Sequence, residues 1–246
     1  MDYSEFYKRI DDLADRADRR DIVTKTGFLT PAEQALLRQY YHGDNLLLSG
    51  GGVGCERQMA FFLPAYLGPA DLDVSEHIRA VRLEAHFGLP GHRDYLGAVL
   101  GLGIRREAVG DVRILGEKAY VFCVPSVEPL LLEELNKVGR VGVSASACPL
   151  DEVPELVQAV KVRTFTVKSL RLDAVAGSMF GLSRTAAAEL IRMGAAKLND
   201  LPCERTDAPV KEGDTVSLRG HGKGRLKAVG ARSKKDRLFI ETEVYL

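Results

Sequence analysis

The feature that most constrains the fold is a change of hydrophobic period between residues 81 and 145. In residues 81–87, apolar side chains alternate with arginine, glutamate and histidine, and a period of two is typical of a half-buried strand. A helical pattern follows, and the two patterns then alternate. The predicted elements are strand 81–87, helix 93–102, strands 112–115 and 119–124, helix 128–138 and strand 141–145.

This βαββαβ order is typical of the ferredoxin-like fold, also called RRM-like, in which two helices cover one sheet face. The other face is left for a partner domain, another chain or RNA, and fold order alone does not fix the function. Tyr120 and Phe122 share one side of a strand, as base-stacking aromatics do. The glycines of the usual RNA-recognition pattern are absent, so core packing is the preferred interpretation.

The N-terminal segment is predicted to be mostly helical. Apolar residues recur at three- and four-residue intervals over residues 3–17 and define one face of a helix. A second helix begins after Thr30, because Pro31 suits the first helical position and Glu33 completes a capping box. A stretch rich in proline and glycine follows, so we expect a domain over residues 1–74.

No cofactor, metal or catalytic site is predicted. The four cysteines form no CxxC pair, and the five histidines have no evident nucleophile or metal partner. Gly50 to Gly54 fit neither a dinucleotide-binding fingerprint nor a P-loop, since Cys55 and Arg57 stand where glycine or lysine is required. No apolar run is long enough to cross a membrane, and we expect a cytoplasmic protein.

Charge is unevenly distributed along the chain. The full sequence has 34 basic and 34 acidic residues. From Lys168 to Leu246 there are 15 lysines and arginines against 10 aspartates and glutamates, which leaves 19 against 24 in the preceding residues. Asymmetry of this kind indicates a basic end that binds phosphate and an acidic body that carries it.

The basic end is predicted to be two short helices on a small sheet. A helix from Arg171 to Phe180 is closed by Gly181, and Ser183 caps a second helix that Gly194 terminates. An Asn-Asp turn follows the first strand of the sheet. The predicted strands are near residues 196–198, 215–218, 225–229 and 238–244.

The second short helix is the candidate phosphate contact. At its start, unpaired backbone amides and the helix dipole favour an anion, and Arg184 adds a fork of donors. Arg184 and Arg192 fall within about 80° of arc at about 100° per residue, so both guanidinium groups can face one phosphate backbone. The full candidate set in this segment is Arg171, Ser183, Arg184, Arg192, Lys197, Arg219, Lys223, Arg225 and Lys227.

These residues resemble an S4 RNA-binding domain in order and spacing. The matching segments are 169–173, 181–185, 190–194, 198–199 and 213–220. Upstream, residues 91–97, 101–107 and Gly110-Asp111 resemble the middle domain of the YlmH family, also called RqcP. Two positions depart from the family pattern, because Ala196 and Asp200 replace its usual valine and glycine around the Asn turn.

The resemblance implies an α+β protein of three parts: an N-terminal mostly helical domain at 1–74, a ferredoxin-like middle domain at 75–160 and an S4-type domain with its αL motif at 165–246. It also implies a role in ribosome-associated quality control. In that role the protein binds the large ribosomal subunit, its rRNA and peptidyl-tRNA, and supports alanine tailing of stalled chains, with a tailing factor as a further partner. By position, the RNA-contacting arginine is Arg184, and the N-terminal helix offers Arg16.

Two other classes of function are compatible with the same residues. S4 domains are often fused to pseudouridine synthases or rRNA methyltransferases, and Arg171-Leu172-Asp173 resembles a synthase motif. Asp173 lies in the opening helix of the S4-like segment, however, and the preceding residues lack the pattern of a large catalytic domain. The second class is a protein-interaction adaptor that uses the open sheet face of the middle domain.

Overall fold

The structure, a computed structural model, describes residues 3–155, 159–233 and 235–245. These residues form two compact units, Met1–Leu156 and Val157–Leu246, each with helices and sheet. The fold is therefore mixed α+β. The first unit contains the predicted domain 1–74 and the predicted domain 75–160 as far as residue 156.

The first unit opens with two helices and a small antiparallel sheet. The helices are α1 (Ser4–Arg20) and α2 (Pro31–Tyr40), and the strands are β1 (Thr24–Leu29), β2 (Leu46–Ser49) and β3 (Gln58–Phe62), in the order β1-β3-β2. Both predicted helices are confirmed, and the Thr30–Glu33 capping box at the start of α2 is present. The prediction of a mostly helical segment missed the sheet.

Buried threonines explain why β1 was not predicted. Thr24 and Thr26 are buried at positions where a strand usually has apolar side chains. Their hydroxyl groups form hydrogen bonds there. Thr24 Oγ1 donates to the carbonyl of Leu13 at 2.7 Å, and Thr26 Oγ1 accepts from the amide of Ala60 at 3.0 Å. A strand whose inward positions are polar has no apolar alternation, so the sequence pattern does not reveal it.

The second part of the first unit has all six predicted elements. They are β4 (Arg79–Ala85), α3 (His92–Gly101), β5 (Val109–Leu115), β6 (Lys118–Cys123), α4 (Glu128–Glu134) and β8 (Val141–Cys148), with a short β7 (Lys137–Val138) before the last strand. The strands pair antiparallel in the order β5-β6-β4-β8-β7. Helix α4 ends earlier than predicted, because the chain enters β7 to pair with β8.

Both faces of this sheet are at least partly covered. Residues of α3 and α4, including Tyr95 and Leu131, pack with Val81 and Val121 on one face. On the other face, Tyr120 and Phe122 belong to a core cluster that also contains Phe61 of β3. The two sheet aromatics are buried, so they pack in the core and are not available to stack on RNA bases.

An arginine and an aspartate join the small sheet to the larger one. The carboxylate of Asp111 accepts the backbone amides of Glu56 and Arg57 at 2.6 and 3.0 Å. The Arg57 guanidinium donates to the carbonyls of Phe28 and Val109, so it satisfies backbone acceptors from two strands. A bulge in β5 between Val109 and Val112 places Asp111 for this role.

The second unit is a six-stranded antiparallel sheet with two helices on one face. The helices are α5 (Leu172–Phe180) and α6 (Arg184–Arg192). The strands are β9 (Val160–Val167), β10 (Ala196–Leu198), β11 (Leu201–Pro202), β12 (Thr215–Leu218), β13 (Gly222–Arg232) and β14 (Leu238–Tyr245), in the order β11-β10-β12-β13-β14-β9. Strands β9 and β11 were not predicted, and the predicted domain limits at 160 and 165 left residues 161–164, half of β9, between two domains.

The helix boundaries follow the predicted caps. Gly181 ends α5 with a left-handed φ of 72°, and Ser183 Oγ accepts the backbone amide of Ala186 at 3.1 Å at the start of α6. Gly194 also has a φ of 72°, which directs the chain from α6 into β10. The Ser183 cap fixes the position of Arg184 at the first residue of α6.

The Asn-Asp turn between β10 and β11 accommodates its departure from the family pattern. Asn199 and Asp200 have φ values of 51° and 65°, a left-handed conformation that asparagine and aspartate tolerate better than most residues. Asp200 Oδ1 also accepts Lys223 Nζ at 2.9 Å. The aspartate is therefore compatible with a turn in which the family usually has glycine.

Candidate nucleic-acid interface

Two arginines of the predicted set share one buried carboxylate. Arg171 precedes α5 and donates to both oxygens of Asp173, at 3.3 Å from Nε and 3.1 Å from Nη2. Arg184, the first residue of α6, donates from Nη2 to Asp173 Oδ2 at 3.1 Å. The Asp173 side chain is 6% exposed, whereas those of Arg171 and Arg184 are 39% and 54% exposed.

The carboxylate stays ionised in this position. Burial acts to raise the pKa of Asp173, but the hydrogen bonds from Arg171 and Arg184, together with their charges, outweigh burial and hold the pKa below its ordinary value. The cluster therefore has two cations and one anion, and the anion faces inward. Its net positive charge is presented to solvent.

This geometry suits a phosphate ligand. Arg184 uses one of its two terminal nitrogens on Asp173, so its Nε and other Nη remain as donors among the described contacts. An anchored guanidinium loses less side-chain freedom when it binds a ligand than a mobile one does. The arrangement can therefore hold two planar forks of N–H donors toward a sugar-phosphate backbone without a large ordering cost.

Two more predicted cations are exposed near the far end of α6. Arg192 is the last residue of the helix, and its side chain is exposed. Arg219 follows β12, is exposed, and its backbone amide donates to the carbonyl of Ala195 at 2.9 Å. Arg192 extends the helix-side group that begins at Arg171 and Arg184.

The remaining predicted cations lie on the other face of the sheet. Leu226 and Ala196 belong to the core under α5 and α6. A Cβ on Gly224 would lie 2.6 Å from Met179 Sδ, so this position also faces the helices. Strand alternation directs their neighbours away from the helices. Those neighbours are Lys197, Lys223, Arg225 and Lys227.

Two cations of this outer group are already neutralised. Lys223 pairs with Asp200 at 2.9 Å, and Lys227 pairs with Glu241 and Glu243 at 2.9 and 3.3 Å. The structure thus divides the predicted set into a helix-side group and a sheet group, and it does not bring all of them to one surface. We take Arg171, Asp173 and Arg184 as the centre of the candidate interface.

Two cations that the sequence analysis missed lie beside Arg184. Lys168 and Arg237 line a cleft of about 240 Å³ that Arg184 also lines. They are far apart in the sequence, and the pairing of β9 with β14 brings them together. A sequence signal existed in the alternating pattern of residues 160–167, which would have revealed β9.

Arg16, the predicted contact in the first unit, is exposed on α1. It falls within about 40° of arc of Arg9 and Arg20 at about 100° per residue, and both of these are exposed. The neighbouring Arg19 pairs with Asp15 at 2.9 Å. Arg9, Arg16 and Arg20 therefore form one basic stripe along α1, beside Glu5 and Asp12.

Neither a metal site nor a membrane span is found in the described residues. Within the described residues, no group of histidine, cysteine, aspartate and glutamate has the arrangement to hold a metal ion. No helix in the described part of the chain is both long and apolar enough to cross a membrane.

Comparison with known proteins gives three similarities. Residues 69–152 match a family model described as "Putative RNA-binding domain in YlmH". The chain is 33% identical over 221 residues to the ribosome-associated protein quality control protein P2 of Bacillus subtilis (strain 168), covering 89% of this chain and 86% of that protein. A solved structure, the cell division protein ylmH from Streptococcus pneumoniae, superposes with a TM-score of 0.51 at 21% identity and covers 62% of this chain and 94% of that one.

Proposed function

The chain belongs to the YlmH family, and from this premise we propose that it is an RNA-binding protein of ribosome-associated quality control. The name of the Bacillus relative supports the cellular role, and the name of the matching family model supports RNA as the ligand. We further propose that the second unit is an S4-type domain. The βαββαβ part of the first unit is then a ferredoxin-like domain.

The observation that carries the proposal is the anchoring of Arg171 and Arg184 on Asp173. A buried carboxylate that takes three hydrogen bonds from two half-exposed arginines fixes both guanidinium groups before any ligand binds. The N-terminus of α6 adds the positive end of its dipole at Arg184. Contacts of this type position a protein on the RNA backbone without reading its sequence.

We propose the large ribosomal subunit, with its rRNA and peptidyl-tRNA, as the target. In this scheme the helix-side cations of the second unit grip the RNA backbone, and the basic stripe of α1 around Arg16 makes a further contact. Binding then supports alanine tailing of the stalled chain by a tailing factor in the cytoplasm. The protein acts by binding and positioning, and catalysis belongs to its partners.

The test compares Arg184→Ala with Lys227→Ala in sedimentation with purified large subunits. Arg184→Ala removes a charge-assisted contact, so we expect binding to weaken by about 1 to 3 kcal/mol. Lys227→Ala is the matched control, because it removes the same charge from a lysine that two glutamates already neutralise on the other sheet face. Equal binding by the folded Arg184→Ala variant and the wild type would contradict the assignment.

Salt dependence tests the electrostatic part of the proposal separately. If about five phosphates are neutralised, the log-log slope of affinity against salt should be about −4. A slope near zero would exclude the phosphate-contact mechanism. RNA–protein crosslinking in cells then identifies the bound RNA, and recovery of mRNA in place of large-subunit rRNA or tRNA would exclude the proposed target.

A further inference from the structure

The cleft beside Arg184 is formed by three separate elements of the second unit. Lys168 follows β9, Arg184 begins α6, and Arg237 precedes β14. Val167 and Leu182 provide apolar walls, and Ser178 of α5 adds a hydroxyl group. Among the described residues that line the cleft there is no aspartate or glutamate.

Lys168 and Arg237 stand opposite each other across two strands. Leu238 of β14 pairs with Val167 of β9, so the residues just beyond that pair, Arg237 and Lys168, occupy facing positions. Like charges at facing positions on neighbouring strands destabilise a sheet. An anion between the two side chains would remove this repulsion.

Each cation retains donors that can point at such an anion. Arg237 donates from Nε to Thr166 Oγ1 at 3.1 Å and from Nη2 to the Thr166 carbonyl, which leaves its Nη1 for a ligand. Arg184 uses Nη2 alone, on Asp173. Lys168 is exposed, and its side chain has no ion-pair or hydrogen-bond partner within the described part of the chain.

We propose that this cleft is a phosphate-binding site that takes either an internal phosphodiester or a terminal monophosphate of the bound RNA. The inference rests on the proposed RNA-binding function and adds Lys168 and Arg237 to it. Three donors from different directions match the tetrahedral arrangement of phosphate oxygens, and the apolar walls strengthen each charge interaction. The volume of about 240 Å³ has room for the phosphate and part of its ribose.

The experiment measures binding of the full chain to a short single-stranded RNA by fluorescence anisotropy over a salt series. We expect Lys168→Ala to weaken binding about tenfold, the effect of losing one charge-assisted contact. The slope against salt should also become shallower by about 0.7, the value for one phosphate on a single strand. Lys211→Ala is the control, because it removes an exposed lysine of the same unit that does not line the cleft.

Arg237→Gln provides a second variant and should weaken binding to a similar degree. Arg237 also donates hydrogen bonds to Thr166, so circular dichroism checks whether the Arg237→Gln variant is folded. If that variant unfolds, Lys168→Ala alone tests the proposed site. Indistinguishable affinities and slopes for Lys168→Ala and Lys211→Ala would overturn the proposal.

Two oligonucleotides separate the possible sources of the phosphate. If the site takes a terminal monophosphate, the wild type prefers a 5′-phosphorylated RNA over a 5′-hydroxyl RNA, and Lys168→Ala removes the preference. If it takes an internal phosphodiester, Lys168→Ala weakens both RNAs equally. Either result supports the site, and no loss with either RNA refutes it.

Inorganic phosphate separates the site from the proposed function. At equal ionic strength, phosphate should raise the thermal midpoint of the wild type above its value in chloride, and should do so less in Lys168→Ala. Phosphate stabilisation without RNA binding would sustain the site and contradict the proposed function. RNA binding that Lys168→Ala leaves intact would sustain the proposed function and contradict the site.

Discussion

Replacing Asp173 with asparagine should lower the stability of the second unit and weaken its binding to RNA. Asparagine keeps the shape but loses the charge that holds Arg171 and Arg184. A hydrogen bond to a charged group contributes about 1.5 to 3 kcal/mol. The two arginines are 39% and 54% exposed, so water screens part of their interaction with the carboxylate. We therefore expect the free energy of unfolding to fall by about 1 to 2 kcal/mol.

The loss of RNA affinity should come from disorder in the two arginines. Ordering a long side chain at an interface costs about 0.5 to 1.5 kcal/mol, and in the wild type Asp173 has already ordered both. We therefore expect Asp173→Asn to weaken RNA binding by about 1 to 3 kcal/mol, although it removes a negative charge. The loss of a negative charge would by itself strengthen RNA binding. The measured affinity of Asp173→Asn therefore decides between the anchoring effect and the charge effect.

The stability effect should also depend on pH. Since the pKa of Asp173 is lowered in the folded protein, the unfolded chain binds the proton more readily. The contribution of the carboxylate is therefore complete above its ordinary pKa of 3.8 and is lost as pH falls through the folded value. The difference between wild type and Asp173→Asn should be constant near neutral pH and shrink in acid.

Urea unfolding followed by hydrogen exchange of residues 172–192 measures this loss in the second unit itself. Asp207→Asn is the control, because Asp207 is an exposed partner of Arg205 at 3.6 Å and should contribute less than about 0.5 kcal/mol. Unchanged stability together with unchanged or stronger RNA binding in Asp173→Asn would refute the anchoring argument.

Three further predictions concern the first unit and the thiols. Gly110→Ala should cost about 1 to 3 kcal/mol in urea unfolding, because its Cβ would lie 2.6 Å from a phenylalanine ring, whereas Gly97→Ala, with open space, should not destabilise. Thr26→Val should cost about 1 to 3 kcal/mol in the same assay, since a buried strand amide loses its acceptor. Iodoacetamide should label Cys203 in the native protein but not Cys123, which is buried with its pKa raised to about 12 by burial, and mass spectrometry checks this.

Local sequence signals predicted the elements whose pattern is complete within a short segment. The capping box at Thr30, the Ser183 cap and the βαββαβ order all depend on neighbouring residues, and all are present. Strand β1 was missed because its inward residues are threonines that satisfy their hydroxyl groups with hydrogen bonds. Strand β11, at two residues, is too short to give a period.

The candidate site was predicted only in part, because it depends on contacts between distant residues. Arg184 followed from its place at a helix start, but the role of Asp173 depends on a contact across eleven positions of the chain. From the sequence alone, the basic residues of the second unit form one group. Strand alternation in β13 directs Arg225 and Lys227 to the face opposite the helices. This direction can be predicted only when it is known which strand residues pack under α5 and α6.

The pairing of β9 with β14 has a consequence for how the second unit assembles. These are its first and last strands, and they meet along their whole length, from Leu238 with Val167 to Tyr245 with Val160. Contacts between residues so distant in sequence form slowly, because a long loop must close first. We therefore expect phosphate binding in the cleft to appear late during refolding, after the helices have formed. A shortened chain that lacks β9, the outermost strand, should not bind phosphate in the cleft.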